Sequence, residues 1–371
     1  MRRLFVVSTF LHIINTINLI ENNLSKVESE NVLFILNNND SYKEILDLAE
    51  FSNLFSEIYI LDINKYLNAF NSSIKKIKGY IFYKTIAKDI LKNCKNHFYD
   101  EFYFSFMDFP MWLIFLYLKK LNRNIKLYSI SDGIGGYNLL TTKENKINKI
   151  VLHFFGFNTL FEELKKLYIY TKDLVNNYYY PHVKIENLPK IDKNNKLFFL
   201  LKTYNKKKNF VFDLKYKFIF FESPFNNEEL NKKQMYSIKF INKISNNFCI
   251  KKHPRRSIKL DLNFKECNIK KNIAMECIYV EDKNNIENKV FISGISAAAI
   301  LAKLIFDKEP YVIFLYKLWD MDKVTYNDDN YIKFLNKFKN IYSKKEKIFI
   351  PESYEELEKN IRFLDDKVIV E

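Results

Sequence analysis

With 371 residues, 48% apolar and 17% aromatic, the chain is too long and too apolar to be disordered or a small stapled scaffold. Two domains with separate cores are expected. The net charge of +15 suits polyanions, an anionic membrane surface or phosphorylated substrates, but the excess of Lys, Asn, Ile, Phe and Tyr also reads as AT-rich codon usage, so placed residues carry more weight than composition. Cys94, Cys249, Cys267 and Cys277 lack metal-ligand spacing, and reduced, buried thiols in a cytoplasmic protein, with no disulfide framework, are expected.

Residues 2–9, RRLFVVST, are a β-branched and aromatic run closed by a Ser-Thr pair suited to capping a helix, and predict a buried strand followed by a helix. In that helix His12, Asn15 and Asn18 interrupt the apolar run and no small-residue cleavage site follows, so it is not read as a signal segment. No run of about 18 apolar residues occurs, so no spanning helix is expected and membrane contact would be peripheral. Strand-like runs continue at NVLFILN (31–37), EIYIL (57–61), EFYFSF (101–106) and KLYSIS (126–131), separated by helical stretches such as SYKEILDLAEF and MWLIFLYLKKL. This alternation indicates a mostly parallel sheet covered on both faces.

A Tyr-rich, Pro-bearing stretch at 176–195 breaks the rhythm, and the expected domains are 1–185 and 186–371. Beyond it the alternation resumes with KLFFLL (196–201), KFIFFESP (217–224), a helical 227–245, FCIKKHP (248–254), CIYVED (277–282), KVFISGIS (289–296), a helical AAAILAKLIF and YVIFLYK (311–317). SYEELEKNIRFL (353–364) predicts a last helix with a capping box, Ser353 and Glu356, expected to pack back on the first domain. Open α/β sheets bind ligands beyond the carboxyl ends of their strands, so candidate chemistry belongs just after strands, in a cleft between the two halves.

Three stretches stand there. In SISDGIGGYN, Asp132 closes a strand ahead of Gly133, Gly135 and Gly136, half of the six glycines in the chain; they permit positive φ or close backbone approach and present the carboxylate. The pattern lacks the dinucleotide fingerprint's final spacing, and no clear helix follows at once. CIKKHPRRS places His253 at a strand end among Lys251, Lys252, Arg255 and Arg256, a setting that suits an anionic phosphate and a proton donor to it. FISGISAAAIL leads from Ser293 and Gly294 through Ser296 into an apolar helix, whose N-terminal N–H groups suit a phosphate. Each stretch also has a plain structural reading: a turn, a solvated basic loop, or close helix–sheet packing. FFESPFNNEE adds Glu222 and Glu228, the latter also reading as a first-turn helix acid. His12, His97, His153 and His182 read as core or surface residues, and the DMD at 320–322 follows no clear strand. P-loop, zinc and nucleophile-elbow signatures are missing, which makes metal-free chemistry the expectation.

The ordered set Asp-Gly-x-Gly, Ser-Pro, His-Pro-Arg and Ser-Gly, spread from Arg3 to about Tyr316, resembles the family 52 glycosyltransferases, typified by bacterial lipooligosaccharide sialyltransferases. It is more distantly similar to the bacterial polysialyltransferases. The resemblance implies an α/β fold of the GT-B type with two Rossmann-like domains facing a central cleft, inverting transfer from CMP-sialic acid to a terminal galactose of a surface glycan, no metal, and a homodimer at or near the inner membrane. It implies Asp132 as base with Gly133 beside it, His253 on the departing CMP with Pro254 and Arg255 in its loop, and Ser293, Gly294 and Ser296 around the nucleotide phosphate. The chain departs from the pattern at Ser131, where the family has a first acid, and at Phe225, where the lipooligosaccharide enzymes have an aspartate. Glu222 and Glu228 are therefore reserve bases. Ala297, Ala298 and Ala299 replace the serine run of the polysialyltransferases. A polysialyltransferase, or a transferase of another CMP-activated acidic sugar, is the related alternative. A basic nucleic-acid-binding protein is the alternative of another class, though its basic residues are scattered rather than striped.

Overall fold

The first strand, β1 (Arg2–Val7), is buried over its last five residues, as a strand covered on both faces must be. Thr9 then caps α1 (Phe10–Leu19), its side chain accepting the His12 N–H, so the Ser-Thr pair does end the strand and start the helix. The computed structural model describes residues 1–37, 42–70, 72–176, 178–210, 214–225, 227–253, 265–267, 273–281, 285–294, 296–321 and 329–367. The chain divides into two units, Met1–Pro189 and Lys190–Glu371.

In the first unit β1 is joined by β2 (Glu30–Leu36), β3 (Glu57–Leu61), β4 (Glu101–Phe104), β5 (Lys126–Ile130), β6 (Leu164–Ile169) and β7 (Lys184–Asn187). All pairs are parallel, in the order β3-β2-β1-β4-β5-β6-β7. The order reverses between β1 and β4, where an open α/β sheet leaves its crevice at the carboxyl ends. The helices are α1, α2 (Tyr42–Ser52), α3 (Asn64–Ala69), α4 (Ser73–Ile81), α5 (Tyr83–Ile90), α6 (Phe109–Leu121), α7 (Ile134–Asn138), α8 (Lys146–Phe154) and α9 (Leu160–Glu163). Aromatic rings lock the central strands in register: Phe5 stacks on Tyr103 at 4.6 Å and Tyr103 meets Tyr128 at 4.8 Å, each pair directly opposed across neighbouring strands. Among the described residues no helix is long and apolar enough to cross a membrane.

The second unit carries β8 (Phe218–Phe221), β9 (Phe248–Lys251), β10 (Val290–Ser293), β11 (Tyr311–Phe314) and β12 (Ile348–Phe349), parallel in the order β12-β11-β10-β8-β9. Here the order reverses between β8 and β10. Its helices are α10 (Lys196–Lys207), α11 (Glu228–Ile244), α12 (Met275–Tyr279), α13 (Ala297–Phe306), α14 (Asp329–Asn340) and α15 (Tyr354–Lys367).

Several elements differ from the sequence reading. KLFFLL is helix α10: Leu197, Phe198, Leu201, Tyr204 and Asn205 are buried at helical spacing, and Asn195 caps the start, a signal outside the short apolar run itself. CIYVED likewise contains the end of α12 rather than a strand. The units divide after Pro189, because residues 184–187 form β7 and pair with β6; a boundary at 185 would cut that strand. The terminal helix α15 is seated on α11 of its own unit, with Tyr354 against Ser237, Tyr236 and Phe240. Its Ser353 does cap the Glu356 N–H, while the Glu356 carboxylate takes the N–H of Glu352.

Cys249 and Cys267 are joined by a disulfide with Cα atoms 5.2 Å apart, whereas Cys94 and Cys277 are free and buried. The expectation of four reduced thiols is corrected by a tertiary contact: residue 266 bridges Ile250, laying Cys267 beside β9.

Asn195 tests the reassigned helix. Its Oδ1 accepts the Leu197 N–H and its amide donates to the Lys190 carbonyl. Asn195→Ala should cost about 1–2 kcal/mol by urea denaturation, and an unchanged midpoint would count against this cap.

Candidate functional site

In the first unit the site grows from the polar residues of α1. His12, Asn15 and Asn18, three residues apart, are buried and turn toward the loops after the strands. His12 Nδ1 accepts the backbone N–H of Ser8 at 3.2 Å, with Ser8 Oγ at the same distance. A backbone N–H only donates, so Nδ1 bears no proton, and the proton on Nε2 is donated to Asp132 Oδ1 at 2.6 Å. Asn15 donates to the Ser131 carbonyl at 2.8 Å and accepts from the Tyr170 hydroxyl at 2.7 Å, and the Asn18 amide reaches the Pro189 carbonyl at 2.7 Å. The row thus fixes the turn that carries Asp132. The imidazole is 2% exposed and the carboxylate 35%; one oxygen is held from the interior while the side chain reaches solvent.

Each glycine of the turn answers a local constraint. Gly133 has φ 62° and ψ −128°, a conformation that a Cβ penalises. A Cβ at Gly135 would stand 3.3 Å from Asp132 Oδ2, and one at Gly136 3.3 Å from the Ser131 Cα. A helix not expected from the sequence starts directly after this turn, as the five-residue α7. His12, read as a core or surface residue, is the partner of Asp132 that sequence reasoning missed. Its signal was the row of polar residues in an apolar helix, because buried polar groups need partners.

At the reversal point itself, the loop leaving β4 brings Asp108, which caps α6 by accepting the Met111 N–H at 2.9 Å. Burial pushes its carboxyl up to about 6. That lies above the ordinary 3.8, so its contribution to stability is full below the ordinary value and lost as pH rises through about 6.

In the second unit the strand ends are tied to one another. Glu222, directly after β8 and buried, accepts the His253 backbone N–H at 2.9 Å, and its own N–H donates to the Lys251 carbonyl. A reserve base on sequence grounds, Glu222 here anchors the loop that carries His253. Lys251 is buried, and its charge opposes the upward push that burial exerts on the Glu276 carboxyl. Lys252 pairs with Glu266 at 2.5 Å. These two lysines are therefore engaged within the fold instead of standing in an open basic loop. Pro254, Arg255 and Arg256 lie outside the described residues. Glu228, the other reserve base, is exposed in the first turn of α11 and pairs with Lys232.

Ser293 and Ser296 are brought together: Ser293 Oγ accepts the Ser296 N–H at 3.1 Å, and Ser296 caps α13 through the Ala298 N–H. A Cβ at Gly294 would stand 2.5 Å from the Trp319 ring, so glycine there is required by the indole. Phe225, the departure from the Ser-Pro-Asp pattern, packs edge-on against the same ring at 5.9 Å. Asp320 pairs with Lys233 at 3.1 Å, and Asp322 lies outside the described residues. No cluster of metal-ligating side chains occurs among the described residues.

No family model matches the chain, and no curated protein matches it. Solved structures do resemble it in fold. A protein of Listeria monocytogenes assigned as a UDP-N-acetylglucosamine 2-epimerase superposes with a TM-score of 0.55 at 10% identity, over 99% of this chain and 88% of the other. The glycosyltransferase of kitacinnamycin gives 0.52 at 8% identity, over 100% and 92%. The Methanocaldococcus jannaschii UDP-GlcNAc 2-epimerase, in complex with UDP-GlcNAc and UDP, gives 0.51 at 14%, over 99% and 93%. The fold is α/β with two Rossmann-like domains of the GT-B type.

The Asp108 carboxyl provides a pH test. Asp108→Asn, neutral throughout, should gain stability relative to the parent chain as pH rises from about 4 to about 6. The readout is the difference between their urea midpoints at stepped pH; a constant difference across that window would rule out the buried-carboxyl assignment.

Proposed function

We propose that the chain is an inverting, metal-independent glycosyltransferase of the family 52 type, moving sialic acid from CMP-sialic acid to a terminal galactose of a surface glycan such as lipooligosaccharide. Support comes from the fold, shared with nucleotide-sugar proteins such as the UDP-GlcNAc-bound M. jannaschii epimerase and the kitacinnamycin glycosyltransferase. The ordered strand-end motifs support it as well. The observation that carries the reading is the held carboxylate: His12 Nε2–H fixes Asp132 Oδ1 and leaves Oδ2 beside Gly135.

In this reading Asp132 Oδ2 takes the proton of the acceptor hydroxyl as its oxygen attacks the anomeric carbon. The bond from that carbon to the CMP phosphate breaks, and the growing phosphate charge meets His253, which protonates it, and the positive end of α13 after Ser293 and Ser296. His12 keeps its proton throughout and acts by positioning, since Nδ1 is already occupied by the Ser8 N–H. In this reading the acceptor is anchored in lipid, and the enzyme works as a homodimer in the cytoplasm at the inner face of the membrane.

The test is CMP release and product mass with CMP-sialic acid and a panel of galactosides. Asp132→Asn and His253→Ala should each lose on the order of 10²–10⁴-fold in kcat with the fold retained. His12→Gln, which keeps an N–H donor, should retain more kcat than His12→Leu at equal KM for the donor. Full turnover by Asp132→Asn would move the base to Glu222 or Glu228. Turnover of UDP-GlcNAc with none of CMP-sialic acid would replace the reading by an epimerase, and salt-sensitive RNA binding without turnover would replace it by a nucleic-acid protein.

A further inference from the structure

Two helices of the first unit turn their apolar stripes the wrong way for a soluble surface. On α4, Ile74, Ile77 and Ile81 recur at i, i+3 and i+7, and are 73%, 37% and 55% exposed. On α8, Ile147, Ile150 and Phe154 repeat that spacing at 71%, 69% and 83% exposed. A helix packed on a globular core buries such a stripe. Here α4 buries its other side, with Gly79 so close to Phe109 that an added Cβ would meet the ring at 2.6 Å, and α8 buries Leu152.

The two helices are neighbours. The ring of Tyr80 on α4 lies 6.1 Å from that of Phe155, directly after α8, and its hydroxyl approaches Asn148 Oδ1 at 3.5 Å. The flanking charge is mostly positive: residues 72–84 contain Lys75, Lys76, Lys78 and Lys84 and no acid, and residues 143–154 contain Lys143, Lys146 and Lys149 against Glu144, with Lys149 paired to Glu162 at 2.7 Å.

We propose that the exposed stripes of α4 and α8 dock together on an anionic lipid bilayer, their six apolar side chains entering the boundary between headgroups and acyl chains and the lysines meeting the headgroup charge. A second copy of the chain would bring the same lysine excess against itself, with only Glu144 and the already paired Glu162 to face it. A nucleic acid would satisfy the lysines but leaves a mostly aliphatic stripe in water, since bases stack on aromatic rings. The inference takes up the membrane location proposed above and rests on that reading for its purpose, while its test needs no turnover.

Cosedimentation with equimolar phosphatidylcholine–phosphatidylglycerol vesicles, beside phosphatidylcholine alone, measures the docking. The intact chain should bind the mixed vesicles and not the neutral ones, with binding falling as salt rises. Ile74→Ser combined with Ile147→Ser and Phe154→Ser, all exposed positions, should lose binding by at least about tenfold, as should Lys75→Glu with Lys78→Glu and Lys146→Glu. Both variants should keep the parent circular dichroism and the parent rate, if any, on a soluble galactoside. Vesicle binding without sialyl transfer defeats only the reading of the active site; transfer without vesicle binding defeats only this one. Unchanged binding by both variants overturns the proposal. So does a dimer that the apolar variant dissolves, or binding to RNA as tight as to vesicles that only the lysine variant abolishes.

Discussion

One hydrogen bond organises the amino-terminal unit: the N–H of a buried imidazole has a carboxylate for its acceptor. His12 has its other nitrogen committed to the Ser8 backbone, so its Nε2 proton goes to Asp132, and an unmatched N–H at that depth would cost about 1–3 kcal/mol. That requirement fixes the carboxylate orientation. It also ties the end of β1, which supplies Ser8, to the end of β5, which supplies Asp132, across the intervening β4. Asn15 and Asn18 extend the same logic toward Ser131 and Pro189, so a single helix face holds three separate segments of backbone.

The second unit solves the same problem with different chemistry. A buried carboxylate, Glu222, receives the N–H of His253, and a disulfide fastens residue 267 to the strand that ends at Lys251. On the other side of β8, the turn after β10 is shaped by an indole: Trp319 leaves room only for glycine at 294 and takes Phe225 on its edge. Trp319 is itself held by its Nε1–H to Ser237 on α11. In both units rigid strands present loops whose conformation is set by buried polar or aromatic partners from a neighbouring helix or loop, the arrangement by which a sheet positions chemistry at its carboxyl edge.

The outward stripes of α4 and α8 sit at the opposite extreme from these tied loops. Between Asp132 and α8 the chain passes only through α7 and a short turn, so the segment carrying the candidate base continues directly into the segment proposed to meet lipid. In the proposed reaction on a lipid-anchored acceptor, that continuity would place recognition of the surface and of the hydroxyl on one stretch of polypeptide.

What the amino-acid order determined by itself is the alternation of strands and helices. Apolar runs such as VLFIL and YVIF bury both faces whatever their neighbours, and Ser-Thr and Ser353 cap helices through atoms only a few residues away. The turn at Asp132 and its glycines was legible for the same local reason, since a positive φ at Gly133 is a property of one residue. Short apolar runs such as KLFFLL were not decided locally, because strand and helix bury the same few residues and only the packing of Tyr204 and Asn205 a turn later separates them. The partnership of His12 with Asp132, the joining of Cys249 to Cys267, and the claim of Trp319 on Gly294 were decided by the tertiary structure alone. Each brings together residues between 18 and 120 positions apart, a distance over which no periodicity or capping rule acts and only the stacking of strands in space sets who meets whom.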